Sequence, residues 1–394
     1  MQPISLYLHV PFCIHRCGYC DFNTYAGLEA LMPAYVDALT REARLLAAAA
    51  GERLTVHTVF FGGGTPSLLP VDAIRSMLEA IRTAYDLIED AEICLEANPG
   101  TVSLDKLAGL RQAGINRLSF GVQSASPEEL RLLERQHDFS DVLMAVMWAR
   151  QAGFQNLNLD WIFGLPGQSL ASWARNLDLA IGLAPQHLSL YALSVEHGTP
   201  FMDLSSRGLL PDLDPDLAAD MYELAEAKLK AAGFIQYEIS NWAQPGEDSR
   251  PLACRHNLQY WRNLPYAGLG AGAHGFLAGQ RTANVLAPAA YIKRLTGGKQ
   301  SAFPRTPATV SGEPIDRVRE MGETMMMGLR LVEEGVSRDD FSKRFGVSIE
   351  EVYGEHISNL SALGLLEQLN ADRNLIRLTQ RGKLLGNRVF REFV

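Results

Sequence analysis

Three of the five cysteines stand close together near the start of the chain, in CIHRCGYC: Cys13, Cys17 and Cys20, at C-x3-C-x2-C spacing. A disulfide takes two thiols and a structural zinc site four ligands, so three tightly spaced cysteines suggest a different use. Thiolates are the usual ligands of iron–sulfur clusters, and a [4Fe–4S] cluster normally takes four. Three would leave one iron open to bind a small molecule. The spacing alone also fits a zinc site completed by His15 or His9, or three unrelated core cysteines. A second group stands at residues 60–66, FFGGGTP. Gly62, Gly63 and Gly64 let the backbone approach a ligand without side-chain clash. Taken alone, any tight strand-to-helix turn looks similar.

These groups need a scaffold, and the surrounding pattern supplies one. Short apolar segments (ISLYLHV, VHTVFF, EICLEA, NRLSFGV, NLNLDWIFG and HLSLYAL) alternate with stretches of helical periodicity that often begin on Ser or Asp and end on Gly. Six βα units in series predict an α/β fold, a parallel sheet with helices outside. A full barrel needs eight, so the expectation is a partial (βα)6 barrel over 1–200. Its ligands belong at the carboxyl ends of the strands. Both groups fall there: the cysteines follow the first strand and the glycines end the second. Residues 201–302 read as a less regular extension with one clear helix and a Gly-rich stretch, YAGLGAGAHGF. Residues 303–315 read as a linker. Residues 316–394 read as three helices and a hairpin, a small winged-helix-like α+β domain with capping boxes at Ser337/Asp340 and Ser348/Glu351.

Composition limits the function classes. A chain of 394 residues with 47% hydrophobic and 21% charged residues has ample core material. A net charge of −9 argues against broad nucleic-acid binding. The balanced charges of the winged-helix-like segment suit a lid or docking module better than a DNA reader. No leader-like segment and no long apolar run is seen, which predicts a cytoplasmic protein with reduced cysteines.

Together, C-x3-C-x2-C, FFGGGTP and the βα repeat resemble the radical S-adenosylmethionine (SAM) superfamily over roughly the first half of the chain. The resemblance implies that the open iron chelates SAM, which an electron then cleaves to methionine and a 5′-deoxyadenosyl radical. YLHVPFCIHRCGYCDF, FFGGGTPS, LEANPG, RLSFGVQS, LERQH and LDWIFGLPGQ narrow it to the coproporphyrinogen dehydrogenase-like branch, which includes the HemW-type heme chaperones. By matching motif positions, Tyr7, Gly63 and Glu96 are expected at the cluster-bound SAM. Tyr19, Gly64, Thr65, Gln123, Arg135 and Asp160 match positions that hold a second SAM in the dehydrogenase. That enzyme resembles C-x3-C-x2-C-x-C, and this chain has Phe22 at the last cysteine position. It also carries a longer segment before the cysteines. Both departures resemble the heme chaperones.

CRHNLQYW at 254–261 contains H-N-x-x-Y-W, which resembles the chaperones' heme-binding motif. Imidazole is a common axial ligand of heme iron and aromatic rings pack on porphyrin faces. His256 is therefore the ligand candidate, with Asn257 and Tyr260 shaping the pocket. The alternative is a polar turn with a hydrogen-bonded histidine. Met325, Met326 and Met327 read as core filler, Cys94 and Cys254 as buried thiols. The resulting expectation is a heme chaperone with a [4Fe–4S] cluster and SAM, delivering heme to acceptor hemoproteins and served by an electron donor. Peripheral membrane association and a homodimer are compatible with it. The competing functions are oxygen-independent coproporphyrinogen III dehydrogenase, which Phe22 opposes, and a radical SAM enzyme acting on another substrate.

Overall fold

In β1 (Ile4–Val10) every residue is buried except the half-buried Tyr7, as expected for a parallel strand covered on both faces. The computed structural model describes residues 2–298, 301–369 and 374–394. Five further strands follow: β2 (Thr55–Gly63), β3 (Asp86–Ala97), β4 (Arg117–Gln123), β5 (Asn156–Phe163) and β6 (His187–Ala192). They pair in parallel in chain order from β1 to β6. The connections carry α1 (Met32–Ala49), α2 (Val71–Ala84), α3 (Leu104–Ala113), α4 (Pro127–Leu132), α5 (Phe139–Gln151) and α6 (Leu170–Gly182). Ser103, Ser126, Asp138 and Ser169 cap four of these helices with their side chains, which satisfies N–H groups that the helix itself cannot. This is the partial (βα)6 barrel.

The other edge of β1 is not open. β7 (Tyr266–Leu269) runs parallel to it, with Gly268 opposite Tyr7. β8 (His274–Leu277), β9 (Gln280–Asn284) and β10 (Thr309–Pro314) continue the sheet beyond β7. The Gly-rich stretch is therefore two strands joined by a turn at residues 270–273. A Cβ on Gly268 would lie 1.9 Å from the His274 carbonyl oxygen, so the glycine permits the close turn back into β8. The expected linker at 303–315 also differs. Thr306 donates to the buried Glu42 carboxylate at 2.6 Å, the Val285 N–H donates to the Ala308 carbonyl at 3.0 Å, and Thr309–Pro314 is an edge strand.

Glu42, from α1, ties this return segment down. Besides Thr306 it accepts from the Gly270 N–H (2.8 Å), the Asn284 amide (2.8 Å) and the Tyr291 hydroxyl (2.6 Å). Burial pushes its pKa up and these donors pull it back down. A buried carboxylate is tolerated only with such a full set of partners.

By internal contacts the chain forms two units: residues 1–228 with 265–313, and residues 229–264 with 314–394. Segment 229–264, expected as part of the barrel extension, groups instead with the C-terminal residues. The second unit contains an antiparallel pair, Ile235–Glu238 with Asn241–Ala243, and a short helix, Arg255–Trp261. It also contains helices Arg317–Gly328, Arg338–Phe345 and Ile349–Ala362 and a small sheet of Val336–Ser337, Leu375–Leu378 and Leu366–Leu369. The hairpin turn at 370–373 lies outside the described residues. Met325, Leu329, Phe341, Ile349 and Ile376 lead this unit's core. Ser348 and Glu351 complete a reciprocal capping box, whereas Ser337 caps the Asp340 N–H without the return bond.

Candidate functional site

The cysteine loop leaves β1 at Val10 and is pinned at its far end. The Tyr25 N–H donates to the Pro11 carbonyl at 2.8 Å. The Asn23 amide donates to the Ala271 and Leu286 carbonyls, both at 3.0 Å. His9 Nε2 donates to the Asn23 carbonyl at 2.9 Å, so its Nδ1 is the acceptor of the Tyr7 hydroxyl at 3.0 Å. Burial pushes the His9 pKa down and keeps the ring neutral. Both nitrogens of His9 are thus committed and it is not a spare metal ligand. His15 Nε2 meets Glu134 Oε2 at 3.0 Å.

Each cysteine sulfur has a polar neighbour. The Thr65 hydroxyl donates to Cys13 Sγ at 3.6 Å, Arg135 Nη1 donates to Cys17 Sγ at 3.8 Å, and Cys20 Sγ lies 3.9 Å from Thr24 Oγ1. Donors aimed at sulfur suit thiolates bound to iron. Burial pushes the free Cys13 and Cys20 thiols up, and metal ligation reverses that by deprotonating them outright. Among the described residues no three His, Cys, Asp or Glu side chains converge as a one-ion site. In a [4Fe–4S] cluster the thiolates sit on separate irons, so this arrangement fits the cluster better than zinc.

The three cysteines line one cavity of about 450 Å³, with walls from the carboxyl ends of the barrel strands. Gly63, Gly64 and Thr65 contribute from the end of β2, Glu96 from β3, Gln123 from β4 and Asp160 from β5; Tyr19 and Arg135 come from loops. Tyr7 is not on the wall; it stands behind, bonded to His9. Gly63 holds φ at +112°, and a Cβ there would lie 2.4 Å from the His9 ring. Its N–H donates to Glu96 Oε2 at 3.0 Å. Burial, and secondarily the negative charge of Asp160, push the Glu96 carboxyl up to about 8. Burial raises Asp160 as well, opposed by donors. Ser119 donates to its Oδ2 at 2.9 Å and Asn158 to its Oδ1 at 2.7 Å.

A register shift between Gly121 and Gln123 turns the end of β4, and Gln123 adopts φ +68°. A bulge with a non-glycine residue in the left-handed region is a recurrent way of aiming a side chain at a site. Arg135 Nη2 donates to the Gly121 carbonyl at 2.8 Å, while its buried Nε has no partner among the described residues. An orphaned cationic donor beside a polar cavity fits an anionic ligand group. Sequence reasoning missed His137 on the wall and Asn158 behind it, bonded to Asp160. His137 places Nε2 3.1 Å from the Val122 carbonyl, and its Nδ1 has no partner among the described residues. Burial, then Arg135, bring its pKa down to about 4. It sits two residues after Arg135 inside LERQH, which was the available signal. Asn158 gave none: its role is visible only as Ser119, Asp160, His187 and Ser189 gather around its amide.

His256, Asn257 and Tyr260 belong to the second unit, on the helix Arg255–Trp261. His256 is buried, with Nε2 2.9 Å from the Tyr260 hydroxyl and the two rings edge to face. The half-buried Asn257 shares this helix.

A partial (βα)6 barrel whose first strand leads into three cysteines over a Gly-lined polar cavity defines a radical SAM protein. The Radical SAM superfamily matches residues 7–180, and the HemN C-terminal domain family matches 315–385. The superfamily's cofactors are a [4Fe–4S] cluster and SAM, and the thiols and cavity just described fit both. The chain belongs to the HemW family. It is 38% identical over 391 residues to the heme chaperone HemW of Bacillus subtilis, covering 99% of both chains. It is 37% identical over 397 residues to that of Escherichia coli, covering 100% of this chain and 99% of the other. The solved structure of E. coli coproporphyrinogen III oxidase (HemN), a radical SAM enzyme, superposes with a TM-score of 0.81 at 25% identity, over 99% of this chain and 90% of that one. Among the described residues no helix is long and apolar enough to cross a membrane.

Proposed function

We propose that the protein is a heme chaperone that binds heme and passes it to acceptor hemoproteins, with SAM held at its cluster site. The likeness to proteins named heme chaperone HemW along their whole length carries this reading. In it Cys13, Cys17 and Cys20 would ligate the cluster. Tyr7, Gly63 and Glu96 would serve the SAM bound there: Tyr7 by fixing His9, Gly63 and Glu96 from the cavity wall. Tyr19, Gly64, Thr65, Gln123, Arg135 and Asp160 would serve a second SAM. The orphaned Nε of Arg135 supports an anionic group beside it. His256 would be an axial ligand of heme iron, which requires the ring to give up Tyr260, with Asn257 and Tyr260 lining the opened pocket.

When bound, the cluster and SAM supply one-electron chemistry; the chain's own part is to orient them. The second reading is the decarboxylase, favoured by the superposition on HemN. Phe22 opposes it: 64% exposed at the cavity rim, it offers no thiol, proton or ligand where the resemblance expects cysteine. The test is anaerobic reconstitution of the cluster followed by SAM, a reductant and coproporphyrinogen III, with assay for protoporphyrinogen and 5′-deoxyadenosine. The chaperone reading expects no decarboxylated product, and heme transfer that weakens in His256→Ala. Protoporphyrinogen formation would overturn it.

A further inference from the structure

In the second unit a guanidinium lies against the HNLQYW helix, and among the described residues no carboxylate is hydrogen-bonded to it. The carbon of the Arg330 guanidinium is 4.5 Å from the centroid of the Trp261 ring and 5.5 Å from that of Phe390. Aromatic faces hold a guanidinium in place and leave its planar fork of donors free to bind. Among the described residues none accepts a hydrogen bond from this fork, and the buried Nε is an orphan. Among the described residues the buried indole N–H of Trp261 also has no partner. Glu238 interacts electrostatically with Arg330 but gives one carboxyl oxygen to the Asn241 amide and the Ser240 N–H. Among the described residues its other oxygen has no hydrogen-bond partner either, so Glu238 does not close on the fork.

Partly buried donors of this strength are normally satisfied, and a guanidinium matches a carboxylate bidentately. Trp261 is the last residue of the H-N-x-x-Y-W motif, so these donors lie at the end of the segment that carries His256. Heme offers two ionised propionates on the rim of a ring whose iron takes the imidazole. We propose that Arg330, with the Trp261 indole N–H, forms a carboxylate site that binds a heme propionate; this rests on the heme-binding reading above.

The test titrates the full-length protein with heme and with heme dimethyl ester, whose propionates carry no charge. The wild type is expected to bind heme about ten- to a hundred-fold more tightly than the ester, the usual worth of a charge-assisted hydrogen bond. Arg330→Gln should lose that preference while keeping the wild-type Soret position, because iron ligation is untouched. Arg330→Lys should retain part of it. His256→Ala should shift the Soret band with both porphyrins. If Arg330→Gln does not fold, Trp261→Phe keeps the ring, drops the N–H and should narrow the preference. Equal binding of heme and ester by the wild type would overturn the carboxylate site alone. Binding of neither would overturn the heme-binding reading and the site with it.

Discussion

Glu96 is poised between two protonation states by its surroundings. Its carboxyl titrates near 8 in the folded chain against an ordinary 4.5. Below the ordinary value it is protonated whether folded or unfolded, and its contribution to stability is fully present. As pH rises toward 8 the unfolded chain gives up the proton while the folded one retains it, so stability falls. The slope is at most about 1.4 kcal/mol per pH unit. Glu96→Gln should flatten this loss in the cluster-free protein, measured by urea unfolding between about pH 5 and about pH 8. Gly63→Ala should do more harm. The left-handed φ and the 2.4 Å approach to His9 predict a cost of about 1–3 kcal/mol and a weaker cluster absorbance after reconstitution. Cys17→Ala should abolish that absorbance; an intact cluster in this variant would refute the ligand assignment.

At the scale of elements, the end of β4 trades regularity for aim. Gln123→Gly relieves the strain at φ +68°, so stability should hold or rise by up to about 1 kcal/mol. SAM affinity, followed by equilibrium dialysis, should fall because the side chain leaves the cavity wall; unchanged affinity would remove Gln123 from the site. In the second unit Ser348→Ala breaks a reciprocal capping box and should cost about 1 kcal/mol in thermal unfolding. The βα repeat and the cysteine and glycine turns were legible because periodicity, capping and ligand spacing are local signals. β7 was not, because YAGLGAG has the composition of a loop and becomes a strand only by lying against β1. The linker at 303–315 was misjudged for a related reason: Pro, Thr and Gly mark a turn, but nothing nearby shows that Thr306 reaches Glu42 from across the sequence. At the site, Arg135 was found through its motif. His137 and Asn158 were not, since their importance lies in partners that only the fold gathers.

At the scale of the molecule, each unit has its own core, and the residues proposed to hold cluster and SAM fall in the first. Ligands that bind only the folded form raise its apparent stability. Loading cluster and SAM should therefore raise the melting transition of the first unit and leave that of the second in place; calorimetry that shows both moving together would contradict this. The same division has a consequence during synthesis. β1 leaves the ribosome well before its partner β7, which begins at Tyr266. At about 5–20 residues per second, the first strand waits on the order of tens of seconds with one edge unpaired. In that interval the nascent chain presents a bare, apolar β-edge, the kind of surface that recruits holding chaperones or pairs with a neighbouring polysome product. A message truncated before Tyr266 would leave that edge open for good, and its product should accumulate in inclusion bodies.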